Sequence, residues 1–326
     1  MGERKVLQLV LFTCSILLVV LFTSCHYNND SGYRGPIGGI THCCGTMGTL
    51  DTRGLILYYP MDDLPDILTK EMVIPDRSGR GNDGKFIKGN PDHHIDSGKT
   101  WFSYSTDGII GEALHISKWD YIAILDSMID EDFQFGTHDF TWSLWVRPSE
   151  KGGIINNNRN QVWIGAQSSQ TNCGGGTHMW LGLHADLDLV IWQLRAVHKD
   201  KDSLQNKRYQ HIALNTEGKA RNWQHIVAVK DGHKYANVSI YINGKEVDEY
   251  RTDGTDEEVI SRETKVRMSE DYVFSKIDCL YLGLFPACKN VYASTFTMDE
   301  VSIWNRPLSK EEVELLYKKQ LAYLEL

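Results

Sequence analysis

With 326 residues, 41% of them hydrophobic and 10% aromatic, the chain has the material for one large folded core or two small ones, and this composition excludes wholesale disorder. Its formal charge of −9 and the lack of any basic block exclude nucleic acid as an expected partner, because phosphate binding needs clustered Lys and Arg.

Arg4 and Lys5 precede a nearly unbroken apolar run from Val6 to Phe22, which Leu21-Phe-Thr-Ser-Cys25 closes. Residues 1–24 therefore read as an export signal outside the fold. The ending resembles a bacterial lipobox, and that resemblance makes Cys25 a lipidated N-terminus of a membrane-anchored envelope protein, with His26 pointing to the outer membrane or cell surface. Loss of the signal removes Glu3, Arg4 and Lys5, net +1, and takes the formal charge from −9 to −10. An uncleaved spanning anchor is the alternative, for which the run is only marginally long. Both readings place the remainder in an oxidising compartment, where Cys43, Cys44, Cys173, Cys279 and Cys288 cannot all pair within one chain. Cys279 and Cys288 bracket a short apolar segment containing Pro286, a candidate loop closure, while Cys43 and Cys44 are open to Cys173 or to another molecule.

Residues 25–53 are rich in Gly, Asn, Ser and Thr and read as a flexible tether. Neither His42-Cys43-Cys44 nor His93-His94 has the ligand spacing of a zinc site. From Gly54 the text becomes short β-type runs. Leu55 to Met61 is the first, followed by Asp62-Asp63. Asp76 to Gly84 is a turn cluster whose Asp and Asn residues can bond back to local N–H groups. Strands follow at Gly111 to Ile116 and Tyr121 to Leu125. Phe140, Trp142, Leu144 and Val146 alternate with Thr141, Ser143, Trp145 and Arg147, the clearest half-buried strand in the chain.

An insertion at about residues 150–221 contains strands His178 to His184 and Leu189 to Arg195. Trp223 to Val229 and Val238 to Ile242 come next, and Asn243-Gly244 is a strong hairpin signal. After Leu280 to Leu284, the strand beginning at Phe296 places Asp299, Val301 and Ile303 on one side. Ser309 and Glu312 then form the capping box of a helix with an apolar stripe at Val313, Leu316, Tyr317 and Leu321. Many short strands and one terminal helix predict an all-β, two-sheet antiparallel sandwich over residues 54–326.

Seven segments, in order, resemble the bacterial laminin-G-like domains of the concanavalin A-like lectin/glucanase superfamily: Leu57 to Asp62, Asp76 to Gly84, Gly111 to Leu114, Phe140 to Pro148, Trp223 to Ile226, Ile240 to Lys245 and Met298 to Tyr317. The resemblance implies a jelly roll. It also implies a structural calcium ion held by Asp62 and Asp299, with the turn at Asp76 adding ligands; the alternative is that these acids accept backbone N–H bonds. β-Glucanases of this superfamily carry Glu-x-Asp-x-Glu on one strand. That motif is absent here, as is any Gly-x-Ser-x-Gly nucleophile signature, so no catalytic residues are assigned and a glycoside hydrolase or polysaccharide lyase is the lesser reading. The favoured reading is a non-catalytic surface lipoprotein binding a polysaccharide or other glycan, with Trp145, Trp163, Trp180, Asn157, Arg159 and His178 as candidate contacts. The structural alternative for the tryptophans is core packing. An adhesion protein binding another surface protein is the competing function.

Overall fold

The computed structural model describes residues 51–322 apart from 63, 90–94, 97–98, 101–102, 118, 125–130, 136–137, 149–159, 169–177, 185–188, 199–205, 215–221, 232–237, 248, 253–271, 274–276 and 284–294. Cys25, Asn157, Arg159 and Cys288 lie outside the described residues.

Strands run in chain order as β1 (Leu55–Tyr59), β2 (Val73–Ile74), β3 (Gly84–Ile87), β4 (Ile95–Asp96), β5 (Lys99–Thr100), β6 (Tyr104–Asp107), β7 (Glu112–Ile116) and β8 (Tyr121–Ile124). There follow β9 (Phe140–Pro148), β10 (Asn160–Gln167), β11 (His178–His184), β12 (Leu189–His198), β13 (Asn206–Leu214) and β14 (Gln224–Lys230). The chain closes with β15 (Val238–Ile242), β16 (Lys245–Glu246), β17 (Glu249–Thr252), β18 (Tyr272–Val273), β19 (Cys279–Leu282), β20 (Phe296–Trp304) and helix α1 (Lys310–Leu321).

Two antiparallel sheets form the sandwich. The first has the order β16-β15-β14-β9-β20-β7-β6, with β1 also on β20. The second runs β17-β13-β12-β11-β10-β19-β8-β3-β2, with β18 also on β12. Alternation in β9 sends Phe140, Trp142, Leu144 and Val146 into a core shared with Trp163, Ile164, Met179, Leu181 and Trp192 of the second sheet. Asn243 and Gly244 both have positive φ, 51° and 74°, as the two-residue hairpin between β15 and β16 requires.

β20 departs from simple alternation. Phe296 and Met298 face the core before a bulge between Asp299 and Ser302, and Val301 and Ile303 face it afterwards. The extra residue is Glu300, at φ 53°. One inserted residue inverts the side-chain parity, so Asp299 does not share a face with Val301 and Ile303 as strict alternation predicts. The bulge also marks a change of partner. Phe296 to Met298 pair with β7, whereas Val301 to Trp304 pair with β1.

Helix α1 starts as its capping box dictates: Ser309 Oγ accepts from Glu312 N at 3.3 Å and Glu312 Oε2 accepts from Ser309 N at 2.7 Å. Arg306 then fixes the entry angle through paired bonds of 2.9 and 2.7 Å to the Glu312 carboxylate.

Candidate functional site

The outer face of the first sheet carries three arrangements of side chains, which are best followed from the hairpin end towards the sheet edge.

Asp62 and Asp299 come together on one turn. Asp299 Oδ2 accepts from the N–H groups of Ile109 and Ile110 at 2.7 and 3.1 Å, and Asp62 Oδ1 accepts from Glu112 N at 2.9 Å. Both acids therefore clamp the β6–β7 hairpin turn, one from the start of the domain and one from its last strand. Gly108 is needed there because a Cβ would meet Asp299 Oδ2 at 2.5 Å, and Gly111, at φ 67°, lies against Asp62 Oδ1. Asp76 is occupied separately. Its oxygens accept from Tyr58 N, Ser78 N, Ser78 Oγ and Asn82 N, which ties the 76–82 turn to β1.

This donor set does not fit a calcium ion shared by Asp62, Asp299 and Asp76. Calcium takes six to eight oxygen ligands, and here N–H groups point at the oxygens it would use. Among the described residues no group of three acidic, His or Cys side chains is arranged to hold a metal. The alternative of backbone N–H acceptance describes what these acids do.

Next to Asp299, Glu300 is buried at 3% exposure. Its carboxylate accepts from the Tyr58 hydroxyl at 2.9 and 3.0 Å and from Gln320 Nε2 at 3.0 Å. Gln320 Oε1 accepts in turn from Trp145 Nε1 at 2.9 Å. Burial pushes the Glu300 carboxyl up to about 7, opposed by the Tyr58 and Gln320 bonds and reinforced by Asp62. Burial, with Glu300 beside it, also holds the Asp299 carboxyl well above the ordinary carboxylate range.

Trp145 is therefore a packing residue. It is stacked on Tyr317 of α1 at 5.6 Å and tilted against His225 at 5.3 Å, with only 2% of its surface exposed. Under the same helix Ser143 Oγ lies 2.9 Å from His225 Nε2. The spacing suits a nucleophile and its base, but both residues have no exposed surface, and burial alone drives the imidazole down to about 3. A substrate has no route to the pair. Trp163 packs in the sandwich core, and Trp180 is 1% exposed on the opposite face of β11 from Met179 and Leu181. The expectation that these three tryptophans offer ring faces to a ligand gives way to the packing alternative. The backbone of His178 opens β11 opposite Gln167, and Cys279 opens β19 at the half-buried level.

The third arrangement was not singled out from the sequence. Strand register lines up Tyr104, His115, Thr297 and Arg147 across β6, β7, β20 and β9. Trp223, immediately before β14, continues the row beside Arg147. All lie on the outer face, because Leu114, Ile116, Phe296, Met298 and Val146 on the flanking positions point to the core. The members touch in sequence. Tyr104 stacks on His115 at 4.6 Å, His115 Nδ1 lies 3.1 Å from Thr297 Oγ1, and the Arg147 guanidinium sits over the Trp223 ring at 5.0 Å. Burial, and secondarily Arg147, lowers the His115 imidazole to about 4, so it is neutral at neutral pH. Tyr104 is 41% exposed, an open aromatic plate at one end of the row. Five neighbouring strands span four spacings, roughly 19 Å between the outer members. Pairing between strands that are distant in sequence creates this row, so its only sequence signal is the outward parity of His115, Arg147 and Thr297.

A model described as the concanavalin A-like lectin/glucanases superfamily, of laminin-G type, matches residues 120–314. The chain belongs to this family. Its lectin/glucanase jelly roll is the two-sheet sandwich described above. Among solved structures the chain is similar to the binding domain of Paraclostridial Mosquitocidal Protein 1, with 16% identity, TM-score 0.47, and coverage of 82% of this chain and 52% of that one. It is also similar to the receptor binding domain of botulinum neurotoxin D, at 14% identity and TM-score 0.47 over 82% and 53% of the two chains. A third is the botulinum neurotoxin serotype D ligand binding domain in complex with N-acetylneuraminic acid, at 15% identity and TM-score 0.49 over 82% and 52%. The chain spans about half the length of these structures. No curated protein sequence matches it.

Proposed function

We propose that this laminin-G-like domain is a non-catalytic glycan-binding module and that it binds through the Tyr104–His115–Thr297–Arg147–Trp223 row. The observation that carries the reading is the row itself: aromatic rings at both ends and hydrogen-bonding groups between them, with Tyr104 exposed, His115, Arg147 and Trp223 half-buried and Thr297 buried beneath them. Sugars present apolar C–H faces and a girdle of hydroxyls, so a site of this kind offers stacking surface and polar partners at once. The Ser143–His225 and Asp299–Glu300 pairs, which have the residue types of catalytic centres, are enclosed and serve the fold. In this reading Cys25 carries the lipid that holds the protein at the cell envelope, and residues 26–53 give the domain its reach.

The test is a glycan array probed with the full chain, combined with an assay for released reducing ends. Retention of one or more glycans without product supports the proposal. Release of sugar, or an array blank at every position, contradicts it.

A further inference from the structure

A half-buried arginine in a protein with 43 acidic and 34 basic side chains has many carboxylates to choose from. Arg147 has none: among the described residues it makes no ion pair, and its contact is the Trp223 ring. A guanidinium laid over an aromatic ring keeps its N–H donors for a second, planar, anionic partner. The rest of the row supplies no such partner, since none of Tyr104, His115, Thr297 and Trp223 carries a carboxylate. On the same face Asp299, two residues from Thr297 along β20, is engaged with the N–H groups of Ile109, Ile110 and Glu300.

Resting on the glycan-binding reading above, we infer that the ligand is a linear oligosaccharide carrying carboxylates, lying across the strands from Tyr104 to Trp223, with one carboxylate taken by Arg147. Three features select this occupant. A row of roughly 19 Å exceeds a monosaccharide and suits a chain of several sugars. The cation lies over one of the two aromatic rings, so a uronate reaching the Trp223 end of the row brings its carboxylate to the Arg147 fork. Four of the five strands it crosses, β7, β20, β9 and β14, are paired on both sides, and the edge strand β6 is bridged at Tyr104 by Ile67, which leaves a peptide little backbone on which to add a strand.

The experiment titrates the full chain with polygalacturonate, alginate and hyaluronate, each alongside its carboxyl-reduced neutral counterpart, and with poly-glutamate as a polyanion lacking sugar rings. At least one acidic polymer is expected to bind about tenfold or more tightly than its reduced form. Arg147→Gln is expected to abolish the difference in affinity between that polymer and its reduced form. The inference is overturned if acidic and reduced polymers bind equally and Arg147→Gln has no effect, an outcome that leaves glycan binding standing. Poly-glutamate binding as tightly as the best uronan overturns it in favour of a simple charge effect. If Trp223→Ala and Tyr104→Ala leave all polysaccharide binding intact, the row is not the site and both readings fall.

Discussion

Gln320, in the last turn of α1, donates from Nε2 to Glu300 Oε2 at 3.0 Å while its Oε1 accepts from Trp145 Nε1 at 2.9 Å. One amide thus joins the C-terminal helix to the bulge of β20 and to the centre of β9. Its two ends are complementary to the two groups it meets. Replacing Gln320 with Ala strips a partner from a buried carboxylate and a buried indole together, and unsatisfied buried groups cost about 1–3 kcal/mol each. Urea unfolding of Gln320→Ala is expected to show a loss within or somewhat above that range, with binding retained once the protein is folded.

Glu300 has a folded-state pKa raised from 4.5 to about 7. An acid raised in this way favours folding while it is protonated, and that contribution disappears as pH climbs from about 4.5 to about 7. His225 and His115 act with the opposite sign. Their lowered pKa values, about 3 and about 4, contribute stability above the ordinary histidine range that is lost as pH falls. The sum of these slopes is shallow, so the diagnostic quantity is a difference. Wild type minus Glu300→Gln stability is expected to decline as pH rises from about 4.5 through about 7, with the neighbouring Asp299 carboxyl, also raised by burial and by Glu300, contributing in the same direction. A difference that rises with pH would contradict the burial account of Glu300.

Asp299 and Asp62 close the β6–β7 turn by accepting backbone N–H bonds. Asp299→Ala removes the acceptor of three amides, those of Ile109 and Glu300 in buried settings and that of Ile110 part-buried, and is expected to lower stability by about 1–3 kcal/mol or more. Because the acids are already partnered, addition of EDTA is expected to leave the melting temperature of the wild type unchanged. A chelator-dependent drop reversed by calcium would show that the turn takes an ion despite its N–H donors.

Trp145 and Trp223 separate packing from binding. Trp145→Ala opens a cavity beneath α1 and is expected to cost about 3–5 kcal/mol in chemical denaturation. Trp223 is only half-buried, so its replacement is expected to cost much less stability and to fall on binding instead.

Sequence and structure agree most closely where the signal is local. The β9 alternation, the Asn243-Gly244 hairpin and the Ser309 capping box each appear at the positions read from the residues, because each depends on neighbours a few residues away. Asp62 and Asp299 meet at one turn, whose backbone amides they accept. The parity of Asp299 did not follow, because a single αL residue at Glu300 resets the alternation and nothing in a glutamate announces that backbone. Nor did the burial of Trp145, since its cover is a helix more than 160 residues away in the chain. The row from Tyr104 to Trp223 was illegible for the same reason: its members are brought side by side by strand order, which period-two patterns do not encode.

The most direct measurement is the dissociation constant of the full chain and of Trp223→Ala for the best-bound glycan on the array, with melting temperatures recorded in parallel. Binding through the row predicts a loss of about tenfold or more in Trp223→Ala, equivalent to about 1.4 kcal/mol, at a melting temperature close to that of the wild type. Equal affinity of the two proteins would contradict it.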